Sequence, residues 1–241
     1  VLRNEARTRE LEGLEREQGL WFGEVPEVVE IDELGVRFAV SVLGGQKTGH
    51  FYDQAENRRF AATLCSGREV LDVYAHDGAW ALHALVAGSS SAVVVDRSEE
   101  ACASTRDNAA LNGVGEKLQV MRSEGKRALE ELTAAGRQFG AVVVDPPAFA
   151  KSRKVVKMAL KGYRDVNALA MRLVEPGGWL LSSSCSYHVG EEALLGELMS
   201  AARSVHRHLV LVRRGEQAPD HPVDPAVPES RYLKSFALRV D

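Results

Sequence analysis

The chain has 241 residues, 45% hydrophobic and 27% charged, which suits one sizeable folded domain with a small appendage. Its formal charge of −4 excludes nucleic-acid binding through overall basicity, so any such surface is a local patch or belongs to another domain. Three widely spaced cysteines (65, 102, 185) form no CxxC pair or Cys/His cluster, so no metal site is expected, and no apolar run nears the ~20 residues of a membrane span.

Residues 1–22 are dense in Glu and Arg, with leucines at 11, 14 and 20, and predict a surface or linker helix. The segment has no signal-peptide core, and reduced thiols fit a cytoplasmic protein. No initiator Met stands at position 1, which suggests an upstream domain. Residues 23–62 form a second element. In it, Val28–Glu33 and Val36–Val42 alternate apolar and polar around Leu34-Gly35, the pattern of a β-hairpin. The following Gly44–Phe60 begins with tight turns and can start a helix in its second half.

Residues 63–241 read as one domain. Short apolar runs at 69–73, 91–95, 118–121, 141–145 and 179–184 alternate with helical segments at 79–87, 99–112, 126–135 and 156–174. Repeated βα units with near-continuous apolar strands predict an α/β fold, a doubly wound parallel sheet with helices on both faces. Two further strands, 208–212 and 235–240, have no helix between them and predict an antiparallel closing edge.

Ligands of open α/β sheets sit beyond the carboxyl ends of the strands. There the sequence carries Asp72, Asp96, Glu124 and Asp145. One acid at a strand end is readily a helix N-cap; four in register suggest a site. The first turn, LDVYAHDGAW (71–80), lacks both GxGxxG and GK[ST], so a phosphate cradle is unsupported. Asp96, 24 residues after Asp72, suits ribose hydroxyls. A ribose-bearing ligand without a tightly held pyrophosphate points to S-adenosylmethionine rather than NAD.

In VVVDPPAFAK (142–151), Pro146 and Pro147 end the strand and stiffen a lip beside Asp145. A planar base could stack on Phe149 and hydrogen-bond to Asp145, the alternative being a simple strand-ending turn. The run LLSSSCSYHV (180–189) ends a strand in small polar residues around Cys185, which is either packing filler or a nucleophile. His188 nearby raises a Cys-His hydrolase, which nothing else supports.

Together GGQKTGHFYDQAENR (44–58), DNAALNGV (107–114), DPPAFAK (145–151), SSSCSYHV (182–189) and PDHPVDPAVPESRYLK (219–234) resemble the large-subunit ribosomal RNA cytosine-C5 methyltransferases. The resemblance runs from about Arg3 to the C-terminus. It implies a class I Rossmann-like domain, S-adenosylmethionine as cofactor, ribosomal RNA as partner, and a homodimer. It also implies an N-terminal PUA domain upstream, joined through a helix like RNEARTRELEGL.

On that resemblance Cys185 is the nucleophile that adds to carbon 6 of cytosine, and Asp145 holds the base. Asp72, Tyr74 and Gly78 shape the methionine end of the cofactor site, Asp96 takes the ribose and Glu124 stands near the adenine. Lys47, Phe51, Asp53, Gln54 and Arg58 belong to an element that closes the pocket. Pro146, Pro147, Phe149 and Lys151 face the substrate.

This chain departs from the family at Asp77 and Ala79, where Thr and Gly are usual, and at Ala55, where Arg is common. Six cations between Lys151 and Arg164 form a candidate RNA patch, and the loop Pro219–Lys234 a candidate substrate wall. Guanine-N7 methylation is the enzymatic alternative; that subfamily lacks the cysteine, because a ring nitrogen needs no thiol adduct. A non-catalytic RNA- or cofactor-binding homologue is the other.

Overall fold

The computed structural model describes residues 1–4, 8–42, 49–150 and 152–241, so the expectations on Lys47 and Lys151 lie outside the described residues. The chain divides into two compact units, Val1–Phe51 and Tyr52–Asp241.

In the first unit β1 (Leu2–Asn4) pairs antiparallel with β2 (Glu17–Gly19), with the one-turn helix α1 (Thr8–Leu11) between them. The expected helix over 1–22 is therefore not formed. Gly13 turns the chain at φ 73°, and a short charged helix with no apolar stripe to bury is marginal in water. The hairpin is as expected: β3 (Val28–Glu33) pairs with β4 (Val36–Ser41) through Leu34 and Gly35. Both turn residues have positive φ, 54° and 88°, the conformation that matches strand twist in a two-residue loop. Val36, Phe38 and Val40 bury one face of β4. His50 packs on Phe38 and pairs with buried Glu33 at 3.0 Å.

The second unit begins with α2 (Ala55–Leu64), so this helix groups with the sheet, and the unit boundary lies before it rather than after residue 62. The chain continues through β5 (Glu69–Val73), α3 (Ala79–Val86), β6 (Ser91–Asp96), α4 (Glu99–Leu111), β7 (Leu118–Arg122), α5 (Gly125–Ala134) and β8 (Phe139–Val144). Next come α6 (Val156–Arg172), β9 (Val174–Ser184), α7 (Glu191–Ser204), β10 (Leu209–Gly215) and β11 (Lys234–Val240). The seven strands are ordered β10-β11-β9-β8-β5-β6-β7. β5 to β9 are parallel, and β11 lies antiparallel between β9 and β10. This is the doubly wound α/β sheet expected, with its antiparallel edge.

All six residues of β8 and the last four of β5 are buried, as central strands covered on both faces must be. The sequence reading lacks α7, which buries Leu194, Leu198, Ala201 and Ala202 along one stripe. From β5 the chain runs outward through β6 and β7, then returns to the opposite side of β5 as β8. That reversal opens a crevice between the carboxyl ends of β5 and β8, the usual ligand position in such sheets.

At the opposite end of the sheet Arg207, just after α7, donates to five carbonyls: Met171, Val174, Glu175, Val240 and Asp241, at 2.9–3.3 Å. One guanidinium thus ties the end of α6 to β9 and β11. Arg207→Ala is expected to lower unfolding free energy by about 2–3 kcal/mol, since hydrogen bonds to a charged group are each worth more than neutral ones. Urea unfolding of the two proteins checks this.

Candidate active site

The loop after β5 is held in an unusual path. Tyr74, His76 and Gly78 all have positive φ (69°, 55° and 79°), which costs energy for residues with a Cβ and needs support from around it. α4 supplies the support. Buried Thr105 donates to the His76 carbonyl at 3.1 Å, and buried Asn108 to the Asp77 carbonyl at 3.2 Å. Gly78 is required twice over, because a Cβ there would also stand 2.6 Å from Thr105 Cγ2.

Asp72 lies fully buried beneath this loop and accepts from the Ala81 N–H at 3.1 Å, within the first turn of α3. Its placement makes it a support for the loop, whereas the sequence reading puts it at the cofactor surface. Burial pushes its carboxyl up to about 8, with the charges of Asp145, Asp77 and Asp96 acting in the same direction. Of the other three strand-end acids, Asp96 and Asp145 thus act on Asp72, and Asp77 joins them.

Asp96, half-buried at the end of β6, accepts from the His76 N–H at 3.0 Å and the Ser98 N–H at 2.9 Å. Glu124 is exposed, caps α5 by accepting from the Arg127 N–H at 3.0 Å, and takes the plain N-cap role weighed for single acids. Tyr74 turns toward this same corner. Its ring lies over Gly125, where a Cβ would approach within 2.5 Å, and burial followed by the Glu124 charge pushes its hydroxyl up to about 12.

Asp145 follows β8 at the other wall of the crevice. Its Oδ2 accepts from Gln54 Nε2 at 3.0 Å and Trp80 Nε1 at 3.1 Å. Burial pushes its carboxyl up to about 6; the Trp80 bond opposes this, Asp53 adds to it, and buried Arg58 opposes it. Asp53 is itself buried: Oδ2 accepts from the Tyr232 hydroxyl at 2.7 Å, and Oδ1 has no hydrogen-bond partner. Asn57 Nδ2 donates to Gln54 Oε1 at 2.7 Å and so orients it. The structure brings Asp53, Gln54, Arg58 and Asp145 together and adds Trp80 and Tyr232, which the sequence reading did not assign to this cluster.

Pro146 is buried and Pro147 exposed, forming the stiff lip expected. Phe149 is partly buried. Its ring packs on Tyr163 at 4.7 Å between centroids, and beside it a Cβ on Gly162 would come within 3.2 Å, so the ring anchors the lip on α6.

Cys185 leaves β9 next to the exit of Asp145 from β8, since Val144 and Ser182 are neighbours in register. It is half-exposed, whereas Cys65 and Cys102 are buried. Both flanking serines are tied to α6: Ser184 Oγ donates to the Tyr163 hydroxyl at 2.8 Å, and that hydroxyl meets Ser186 Oγ at 2.9 Å. Ser186 Oγ also accepts from the Ala150 N–H at 3.2 Å, joining the cysteine loop to the lip. His188 stacks edge-on with Tyr187.

In the basic segment, Lys161 pairs with Asp165 and Arg164 with Glu197, which leaves Arg153, Lys154 and Lys157 exposed to solvent among the described residues. Also among the described residues, no group of three His, Cys, Asp or Glu side chains could hold a metal ion, and no helix is long and apolar enough to cross a membrane.

The raised carboxyl of Asp72 has a stability signature. An acid whose pKa rises from an unfolded value of about 4 contributes stability fully below that value, and loses it as pH rises through the folded value of about 8. Asp72→Asn keeps an acceptor for Ala81 and removes the titration. Its Tm relative to the wild type is therefore expected to rise between about pH 5 and about pH 9. A difference constant across that range would contradict it.

The chain has known relatives. A family model described as S-adenosylmethionine-dependent methyltransferase matches residues 16–236. Proteins named ribosomal RNA large subunit methyltransferase I from Shewanella denitrificans and Photobacterium profundum are each 37% identical over 240 residues, 99% of this chain. The chain spans 60% of the length of these curated relatives. A methyltransferase solved in complex with SAH superposes with a TM-score of 0.82 at 19% identity, over 91% of this chain and 58% of the other, a likeness of fold. With the match of the family model over most of its length, this chain belongs to the S-adenosylmethionine-dependent methyltransferases.

Proposed function

We propose that this chain carries the catalytic site of an RNA methyltransferase that forms 5-methylcytosine in large-subunit ribosomal RNA. The observation that carries the reading is the placement of partly exposed Cys185 and Asp145 just beyond the ends of adjacent strands, with Asp145 held in a polar cluster. The names of the longer relatives supply the substrate class.

The crevice suits the cofactor chemically. S-adenosylmethionine supplies an electrophilic methyl group on a sulfonium, and it also bears an ammonium and two ribose hydroxyls. Asp77, Asp96 and Asp145 give this crevice the acidic character that favours such cations, and half-buried Asp96 keeps acceptor capacity for hydroxyls. Gly78 and the strained loop would line the methionine side, with Glu124 and Tyr74 at the far corner. Asp77 and Ala79, unusual in the family, do not disturb the loop: the Asp77 carbonyl is held by Asn108, and Ala79 is buried in α3.

The role of the thiol follows from the substrate. Carbon 5 of cytosine is a poor nucleophile until a thiolate adds to carbon 6, which makes carbon 5 enamine-like. The Cys185 Sγ–C6 bond would form, carbon 5 would take the methyl group and leave the sulfonium sulfur as a neutral thioether, and a base would remove the carbon-5 proton as the Sγ–C6 bond breaks, releasing the thiolate and restoring the aromatic ring. Asp145 hydrogen-bonds the base. With its carboxyl pushed up to about 6, it also exchanges protons more readily near neutral pH than an ordinary aspartate. Arg153, Lys154 and Lys157, beyond the lip, can neutralise phosphates.

Cys185→Ala in the intact protein is expected to cut methyl transfer to ribosomal RNA by at least about a thousandfold. Binding of labelled S-adenosylmethionine in equilibrium dialysis is expected to be unchanged. Full transfer by this variant would contradict the covalent role of Cys185.

A further inference from the structure

We infer that Lys234 is a positioning residue for Cys185: its ammonium, buried beside the cysteine loop, holds Sγ as the thiolate. The inference rests on the reading that Cys185 is the nucleophile, and it assigns a source for the nucleophile's ionisation.

The placement is specific. Lys234 begins β11 and is the register partner of Ser184, the residue before Cys185. Its Nζ donates to the carbonyl of Ser186, the residue after Cys185, at 2.6 Å, and to the carbonyl of Tyr232 at 2.8 Å. The side chain therefore runs past the cysteine from one flank to the other. It is 8% exposed, and among the described residues both of its hydrogen-bond partners are neutral carbonyls, with no carboxylate in ion-pair distance. A buried ammonium without a paired anion is costly, and such a charge is normally kept where it acts on something. Two anionic groups act on it, the Cys185 thiolate first and Glu191 second, and only the thiolate belongs to the loop that its two hydrogen bonds bracket.

The other groups around the pair do not supply this charge. Tyr163 from α6 and Tyr232 before β11 face the cysteine, and burial pushes both hydroxyls up, so they are neutral near pH 7. Glu191 at the start of α7 and Arg231 act on Lys234 with opposite signs. Arg231 is itself drawn to Glu191 and Glu216, at 3.7 and 3.6 Å. Asp53 accepts the Tyr232 hydroxyl, whereas Lys234 donates to the Tyr232 carbonyl. Burial pushes the Lys234 ammonium down to about 8, and the thiolate opposes that shift. The lysine is therefore still charged at neutral pH, where the thiolate is needed. The sequence reading names Lys234 only as part of a candidate substrate wall.

The test is the pH profile of Cys185 alkylation by iodoacetamide, read by peptide mass spectrometry on the intact protein without RNA or cofactor. Buried Cys65 and Cys102 report unfolding in the same samples. In Lys234→Met the midpoint is expected to rise by about one pH unit or more, with alkylation near pH 7 about tenfold slower, while Lys234→Arg stays near the wild type. If Lys234→Met lets Cys65 and Cys102 react, Lys234→Gln, which keeps a donor for the Ser186 carbonyl, takes its place. An unshifted midpoint in the neutral variant, or equal shifts in the neutral and Arg variants, would overturn the inference. Because the readout needs no methyl transfer, either result stands apart from the identity of the methylated base.

Discussion

A parallel strand buried on both faces delivers its last side chain into a place where water is scarce, and an acid there must find donors. This constraint organises the carboxyl edge of the sheet. Asp72 takes the Ala81 N–H, Asp96 takes those of His76 and Ser98, and Asp145 takes the side chains of Gln54 and Trp80. Each bond pulls a loop or helix start inward, so the acids shape the crevice before any ligand enters it. The positive φ of Tyr74 and His76 is a consequence: the backbone turns so that the His76 N–H reaches Asp96. The strain is then absorbed by Thr105 and Asn108.

The same edge serves two chemistries through two kinds of support. On the β5–β6 side the donors are mostly backbone, which leaves a rigid acidic cradle. On the β8–β9 side they are side chains drawn from distant parts of the chain, and they hold Asp145 and the loop that carries Cys185. Tyr163 clamps the serines on either side of Cys185, and Phe149 locks the proline lip against the same tyrosine. The loop that carries the cysteine is thus held on both of its flanks. Asp53 and Tyr232 close the gap between this corner and Asp145.

Much of this was legible in the sequence. Continuous β-branched runs locate Glu69–Val73 and Ser91–Asp96 to within a residue, because a doubly covered strand leaves no other pattern. The acids and Cys185 could be placed at strand ends because the strands themselves could be placed. Other features were less visible. Residues 1–22 look helical by composition, yet among the described residues no side chain there is buried and Gly13 turns the chain. α7 carries a helical stripe at Leu194, Leu198 and Ala201 that the strand-to-strand reading passed over. Trp80 and Tyr232 reach their carboxylates across 65 and 179 residues of chain, and no local pattern encodes that. The packing of Phe149 against Gly162 and Tyr163 likewise has no local signal.

The central claim is that the thiol corner exists because the target atom is carbon 5 of a pyrimidine. The most direct measurement is transfer of labelled methyl from S-adenosylmethionine by the intact protein to ribosomal RNA from cells lacking it, followed by nucleoside mass spectrometry. The account predicts the label in 5-methylcytidine. Label in 7-methylguanosine would contradict it, because a ring nitrogen has its own lone pair and would leave Cys185 without a covalent task.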